Sequence, residues 1–206
     1  MKPGTLVAFE GIDGSGKSTQ LERLASCLRA AGRDTLTTRE PTDGEHGRRI
    51  RAMARSGETP EPGTELEWFM SDRREHVARV VAPALAAGRC VLTDRYTLSS
   101  VAYQGARGLD PGHILRACES EFPVPDLVLL LEVGPETGLA RVLDRGGVAE
   151  PSFEQADFLQ DVRAVFASLA CPYIERVDAS GPPDRVQAAV LEICNRRFSW
   201  GLEASA

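Results

Sequence analysis

The segment Gly11-Ile12-Asp13-Gly14-Ser15-Gly16-Lys17-Ser18 constrains the fold of this chain more than any other stretch. It matches G-x-x-x-x-G-K-[ST], a pattern whose mechanism requires a strand before it and a helix after it. Leu6-Val7-Ala8-Phe9 is a short apolar run that reads as a buried strand. Lys17 to Ala31 sets Leu21, Leu24, Ala25 and Leu28 on one face, which reads as an amphipathic helix. The chain must therefore turn from strand to helix through glycines, which let successive backbone N–H groups face one point. The helix aims the positive end of its dipole at that point. The result is a cradle for phosphate oxygens. Lys17 adds a mobile charge for β and γ phosphates, and the Ser18 hydroxyl can complete a Mg²⁺ shell made mostly of water and phosphate oxygens.

The remaining sequence alternates apolar runs with helical patterns, which predicts parallel βαβ units. Strands are expected at Asp34–Thr38, Cys90–Thr93, Asp126–Val133 and Tyr173–Val177. Helices are expected at Arg48–Arg55, Glu65–Ala87 (bent near Pro83), Pro111–Glu121, Pro135–Arg145, Phe153–Ala170 and Pro183–Arg197. Pro60 and Pro62 mark a loop. The fold class is α/β, with a five-stranded sheet wrapped by helices. The 206 residues suffice for one such domain. Residues 1–200 read as that domain, with 201–206 as a tail.

Composition narrows the partners. The net charge of -6 argues against a general nucleic-acid surface. Cys27, Cys90, Cys118, Cys171 and Cys194 form no CxxC pair and read as small buried hydrophobes in a reducing compartment. The longest apolar run, Leu127 to Leu131, is too short to span a bilayer. Glu10 comes too early for a secretory signal peptide. A cytoplasmic protein with no membrane partner is expected.

A phosphate loop alone does not separate a switch, a motor and a kinase. A kinase needs a second anionic pocket facing the first. Thr38-Arg39-Glu40-Pro41 and Asp94-Arg95-Tyr96 each fall at the carboxyl end of a strand, where open α/β sheets bind ligands. Arg39 and Arg95 are thus expected on the rim that carries the loop, and an arginine fork suits phosphate oxygens. Asp94 ends an apolar strand, where an acid can reach a nucleotide-bound metal or its water.

These pieces together resemble the thymidylate kinase (dTMP kinase) family. The matching residues are Phe9 to Thr19, Thr38-Arg39-Glu40-Pro41, Asp72-Arg73 with His76, and Asp94-Arg95-Tyr96. Ser99-Ser100, Ala102-Tyr103-Gln104-Gly105 and Pro125-Asp126-Leu127 continue the series, and order and spacing match from Leu6 to about Val190. The resemblance implies a three-layer P-loop NTPase fold with a parallel five-stranded sheet flanked by helices on both faces. It implies transfer of the γ-phosphoryl of MgATP to dTMP, giving dTDP and ADP for dTTP synthesis, by a homodimer. By position, Gly11, Ile12, Asp13, Gly14, Ser15, Gly16, Lys17, Ser18, Thr19 and Arg141 would bind ATP. Ser18 and Asp94 would hold the metal. Arg39 and Arg95 would hold the acceptor phosphate, Phe69 would stack on thymine, and Arg73 would hydrogen-bond its edge. Ser100 and Gln104 would line the base pocket, Tyr103 would crowd a ribose 2′-hydroxyl, and Asp13 would sit near the acceptor sugar and phosphate. Lys17, Arg95, Asp13 and Arg145 would carry the catalysis.

The sequence also departs from the family. An essential arginine belongs either in the loop or in a lid, and Gly14 and Ser15 leave none in the loop. The lid, about 145–154, has Pro151-Ser152 where bacterial relatives carry Asp-Arg, and no basic residue from Gly146 to Phe153. Arg145, helped by Arg141, is left to supply the charge. Glu67-Trp68 stands where the family tends to have leucines, on a helix used for dimer packing. The alternatives are a kinase for another, possibly modified, pyrimidine monophosphate, or a weakly active nucleotide-binding homologue.

Overall fold

The computed structural model describes residues 4–144, 153 and 155–203. Its strands are β1 (Thr5–Glu10), β2 (Thr35–Arg39), β3 (Cys90–Asp94), β4 (Leu127–Glu132) and β5 (Ile174–Asp178). They form one sheet in the order β2-β3-β1-β4-β5, and every pair is parallel. The helices are α1 (Lys17–Ala30), α2 (Glu45–Ser56), α3 (Pro62–His76), α4 (Ala82–Ala86), α5 (Thr97–Ala106), α6 (Pro111–Glu121), α7 (Pro135–Asp144), α8 (Ala156–Ser168) and α9 (Pro183–Phe198).

A parallel sheet covered on both faces needs strands that are apolar throughout. Leu127 to Leu131 meets that need, and all five residues are buried. Alternation splits them: Val128 and Leu130 face one layer, Leu127, Leu129 and Leu131 the other. The first layer includes Met70 of α3, Val101 of α5, Cys118 of α6 and Val162 of α8. The second is built from α1 and α9, where Leu24 and Leu28 meet Val190 and Cys194. Each buried leucine contributes about 2 kcal/mol of transfer free energy. The expected sheet with helices on both faces is the observed one.

Register places the site. Phe9 and Arg39 both pair with Asp94, so β1, β2 and β3 end level with one another. The residues just past those ends emerge together on one rim. The chain passes from β1 out to β2, back to β3, and then across to β4. The central strand therefore lies where the order reverses, the usual place for a ligand crevice.

The long helix is interrupted near Pro83 as expected, while Pro62 and the start of α8 differ from expectation. The bend in the long helix is a π turn at Val77–Val81, just before Pro83, where the Ala82 amide donates to the Val77 carbonyl. Pro83 has no N–H to continue an α ladder and would clash with the carbonyl four residues back, so the wider turn accommodates it. Pro62, expected in a loop, is the first residue of α3, capped by the Glu61 carboxylate on the amides of Gly63 and Thr64. Helix α8 starts at Ala156 rather than at Phe153.

Candidate active site

The loop between β1 and α1 is shaped by glycines at positive φ: Gly11 at 137°, Gly14 at 75° and Gly16 at 94°. At Gly14 freedom and space are both at their limit, since a Cβ there would stand 2.0 Å from the Gly138 carbonyl oxygen of α7. A Cβ on Gly138 would in turn lie 2.5 Å from the Asp13 carbonyl oxygen. Loop and helix meet backbone to backbone. Arg141, one turn further along α7, donates to the carbonyls of Gly14 (3.4 Å), Ala179 (2.9 Å) and Ser180 (3.0 Å).

Lys17 is buried, and its ammonium donates to the carbonyls of Gly11 (3.0 Å) and Ile12 (2.9 Å). Burial and the nearby Arg95 charge push its pKa down, while Asp13, Asp94 and Glu10 pull against them. The Ser18 hydroxyl donates to Asp94 Oδ2 at 2.5 Å, so the two candidate metal ligands adjoin. One hydroxyl and one carboxylate suit a hard cation that keeps most of its waters. Among the described residues there is no cluster of three or more His, Cys, Asp or Glu able to hold an ion alone.

Arg95 follows β3 in the left-handed region, at φ 69°. That conformation costs a non-glycine residue roughly 1 kcal/mol or more. It turns the guanidinium back toward the loop. There Nη2 donates to Asp13 Oδ1 at 2.7 Å and to the Tyr103 hydroxyl at 3.2 Å. Nη1 reaches the Gly11 carbonyl at 3.3 Å and Ser99 Oγ at 3.1 Å. Burial alone would push the Asp13 carboxyl up, but Arg95 and Lys17 outweigh it and hold it at about 2. Both members of the pair are therefore charged at neutral pH.

Arg39 is exposed at the end of β2 and pairs with Asp43 at 3.1 Å. It shares one depression with Asp13, Gly14, Gly16, Lys17, Ser18, Glu40, Asp94 and Arg95. The two arginines expected on the loop's rim are both there.

From this depression a cleft of about 490 Å³ extends over α5, a size typical of small-molecule sites. Asp13, Arg39 and Arg95 stand at its phosphate end. Phe69, Ser100, Tyr103 and Gln104 line its walls. Phe153 is the one described residue of the expected lid. It is buried at the cleft, edge-on to Phe69 (6.3 Å) and Tyr103 (5.8 Å), with Arg107 5.3 Å above its ring. Arg145 and the rest of 145–154 lie outside the described residues. Ser15 is buried in the loop, and Thr19 is exposed on α1 beside Gly14, Gly16 and Arg141 in a second depression.

Arg73 reaches the cleft wall through Ser100. It is 1% exposed. Its Nε donates to Glu40 Oε2 (2.8 Å), and Nη2 donates to the Tyr96 carbonyl (2.9 Å) and Ser100 Oγ (3.0 Å). Burial disfavours its charge, and Glu40 more than restores it. Glu40 also bonds His76 Nδ1 at 2.9 Å, and His76 Nε2 meets Thr38 Oγ1 at 2.7 Å. This buried network ties α3 to the ends of β2 and β3. Breaking such a pair by removing one partner costs about 3–5 kcal/mol.

Glu10 and Glu65 were not singled out from the sequence. Glu10 ends the central strand, fully buried, and accepts from the amides of Tyr96 (2.9 Å) and Ser99 (3.0 Å) and from Ser99 Oγ (2.5 Å). It thereby caps α5. Burial pushes its carboxyl up to about 7 against these bonds and Arg95. A charged residue inside an apolar strand beside the phosphate motif is the signal that could have flagged it. Glu65, on α3, is fully buried beside Gln104.

A phosphate loop after the central strand of a parallel sheet, faced by two arginines and an aromatic-lined cleft, defines a P-loop nucleotide-dependent phosphotransferase. The family described as thymidylate kinase matches residues 9–190. A thymidylate kinase of Desulfotalea psychrophila is 44% identical over 189 residues, covering 92% of this chain and 93% of that protein. One of Akkermansia muciniphila is 42% identical over 198 residues, covering 96% and 94%. One of Xanthomonas campestris pv. campestris is 46% identical over 183 residues, covering 89% and 79%. The chain belongs to the thymidylate kinase family.

Proposed function

We propose that this protein is a thymidylate kinase that moves the γ-phosphoryl group of MgATP to the 5′-phosphate of dTMP. A phosphate oxygen of dTMP forms the new P–O bond, the bond to ADP breaks, and dTDP and ADP leave. The acceptor oxygen is already anionic at neutral pH, so no general base is required. Catalysis then consists of alignment and positive charge around the moving group.

The observation that carries this reading is Arg95, which belongs both to the depression at the phosphate loop and to the aromatic-lined cleft. An acceptor whose base lies between Phe69 and Gln104 would present its phosphate to Arg95 and Arg39, facing Lys17. Tyr103, bonded to Arg95, would lie against the sugar, and Asp13 would hold Arg95 in place. Ser18 and Asp94 would hold Mg²⁺, which when bound shields the triphosphate charge. Thr19 and Arg141 flank the depression on the far side of the loop, suited to the rest of ATP. Arg145 of the lid would complete the charge. Residues 1–200 form the kinase domain in this reading, working as a cytoplasmic homodimer. No helix among the described residues is long and apolar enough to cross a membrane, and all five cysteines are free thiols.

Coupled ADP release tests the reading, with MgATP and a panel of dTMP, dUMP, UMP and CMP. dTMP is expected to be the best acceptor. A flat panel with retained ATP binding would replace this reading with a nucleotide-binding homologue lacking turnover.

A further inference from the structure

Gln104 lines the cleft, and the two ends of its amide are in different situations. Nε2 donates to Glu65 Oε1 at 2.8 Å. Oε1 is buried and has no hydrogen-bond partner among the described residues. Such an acceptor is a cost to the fold that a ligand's N–H would remove.

Glu65 decides which end is left over. It is fully buried on α3, and Arg107 donates Nε to the same carboxylate oxygen at 3.0 Å. Arg107 is itself held across the rings of Phe153 and Phe158, at 5.3 and 4.8 Å from their centres. Burial pushes the Glu65 carboxyl up, while the bond from Gln104 and the charge of Arg107 pull it down. Burial outweighs those two, but both neighbours donate to Oε1, so that oxygen is an acceptor whether or not the carboxyl holds a proton on Oε2. Turning the Gln104 amide over would set its carbonyl against Glu65 Oε1, which already accepts from Arg107, two acceptors face to face.

We propose that Glu65 is a positioning residue for base selection, holding Gln104 Nε2 so that Oε1 is offered to the ligand as an acceptor for a ring N–H. The proposal rests on the pyrimidine monophosphate reading above. Thymine and uracil carry a hydrogen on N3, whereas cytosine presents a bare lone pair there. A fixed acceptor opposite N3 therefore favours the first two and repels the third, and a site built for a donor rejects analogues lacking it. Uracil must be told from thymine by room for the methyl group instead.

The test uses the full chain at pH 8 with MgATP, and dTMP or dCMP as acceptor. The variants are Glu65→Met, Gln104→Met and the double replacement. Glu65→Met is expected to raise KM for dTMP about tenfold with little change in kcat, and to lower the dTMP-to-dCMP preference by about the same factor, the worth of one hydrogen bond. In the Gln104→Met background, Glu65→Met should change the preference no further, because its effect passes through the amide. Glu65→Gln still offers a carbonyl to Nε2 and should recover part of the preference. A purely structural role would lower turnover of both acceptors in proportion, and that result would overturn the proposal. An equal loss of preference in both backgrounds would also overturn it. A second measurement needs no variant. dTMP methylated at N3 should compete far more weakly than dTMP for the unmodified protein, and equal competition would sink the proposal. Loss of any preference for dTMP in the unmodified protein would instead bring down the underlying reading, and the role of Glu65 with it.

Discussion

Arg95 and Asp13 hold each other at 2.7 Å, across the gap between the end of β3 and the phosphate loop. The contact joins the part of the molecule that would receive the donor phosphates to the part that would receive the acceptor. It also fixes the guanidinium of a residue whose backbone is already in the left-handed region.

Arg95→Ala is expected to lower kcat/KM for dTMP about a thousandfold, the loss typical of a cation removed from a phosphoryl-transfer site. KM for ATP should stay within a few-fold of normal. Arg95→Lys should recover little, because an ammonium cannot reproduce the fork that reaches Asp13, Ser99 and Tyr103 together. Steady-state kinetics with each substrate varied in turn would check both variants. A lysine variant near normal activity would mean that charge alone suffices.

Glu10 predicts a pH dependence of stability. Burial raises its folded-state pKa to about 7, above its ordinary value of 4.5. The folded form therefore holds the proton more tightly than the unfolded chain does. The corresponding stability is fully present below about pH 4.5 and is lost as pH rises through 7. The difference in Tm between the unmodified protein and Glu10→Gln should fall steadily from pH 5 to pH 8. A difference that is flat over this range would show that the proton is not held in the fold.

Arg145→Ala is expected to abolish turnover, by about three orders of magnitude, while ATP binding measured by calorimetry stays close to normal. Arg141→Ala should act differently. Its guanidinium is engaged by the carbonyls of Gly14, Ala179 and Ser180, so its loss should raise KM for ATP more than it lowers kcat. If Arg145→Ala retained normal activity and Arg141→Ala lost it, the catalytic charge would belong to α7.

The sheet was legible because its strands are short, apolar and separated by periodic helices. Helix α5 was not, although it carries Ser100, Tyr103 and Gln104. Seven of its ten residues are buried, polar ones among them, so no solvent-facing stripe betrays it. Arg39 and Arg95 could be placed because a strand end points one way only. Arg73 could not, because helical spacing gives a face and not a depth. Its chemistry was legible, but its commitment to Glu40, Tyr96 and Ser100 depends on three elements distant in sequence. Glu10 and Glu65 escaped for the related reason that a buried carboxylate is defined by its partners.

The backbone contact between Gly14 and Gly138 bears on how such an enzyme can change over time. A side chain at position 14 would need positive φ and would run into α7 at 2.0 Å. An arginine installed there would have to displace α7. Placing the charge at position 14 thus takes more than a single replacement in this scaffold. The stretch from Gly146 to Phe153, which has no basic residue, is therefore not compensated from position 14.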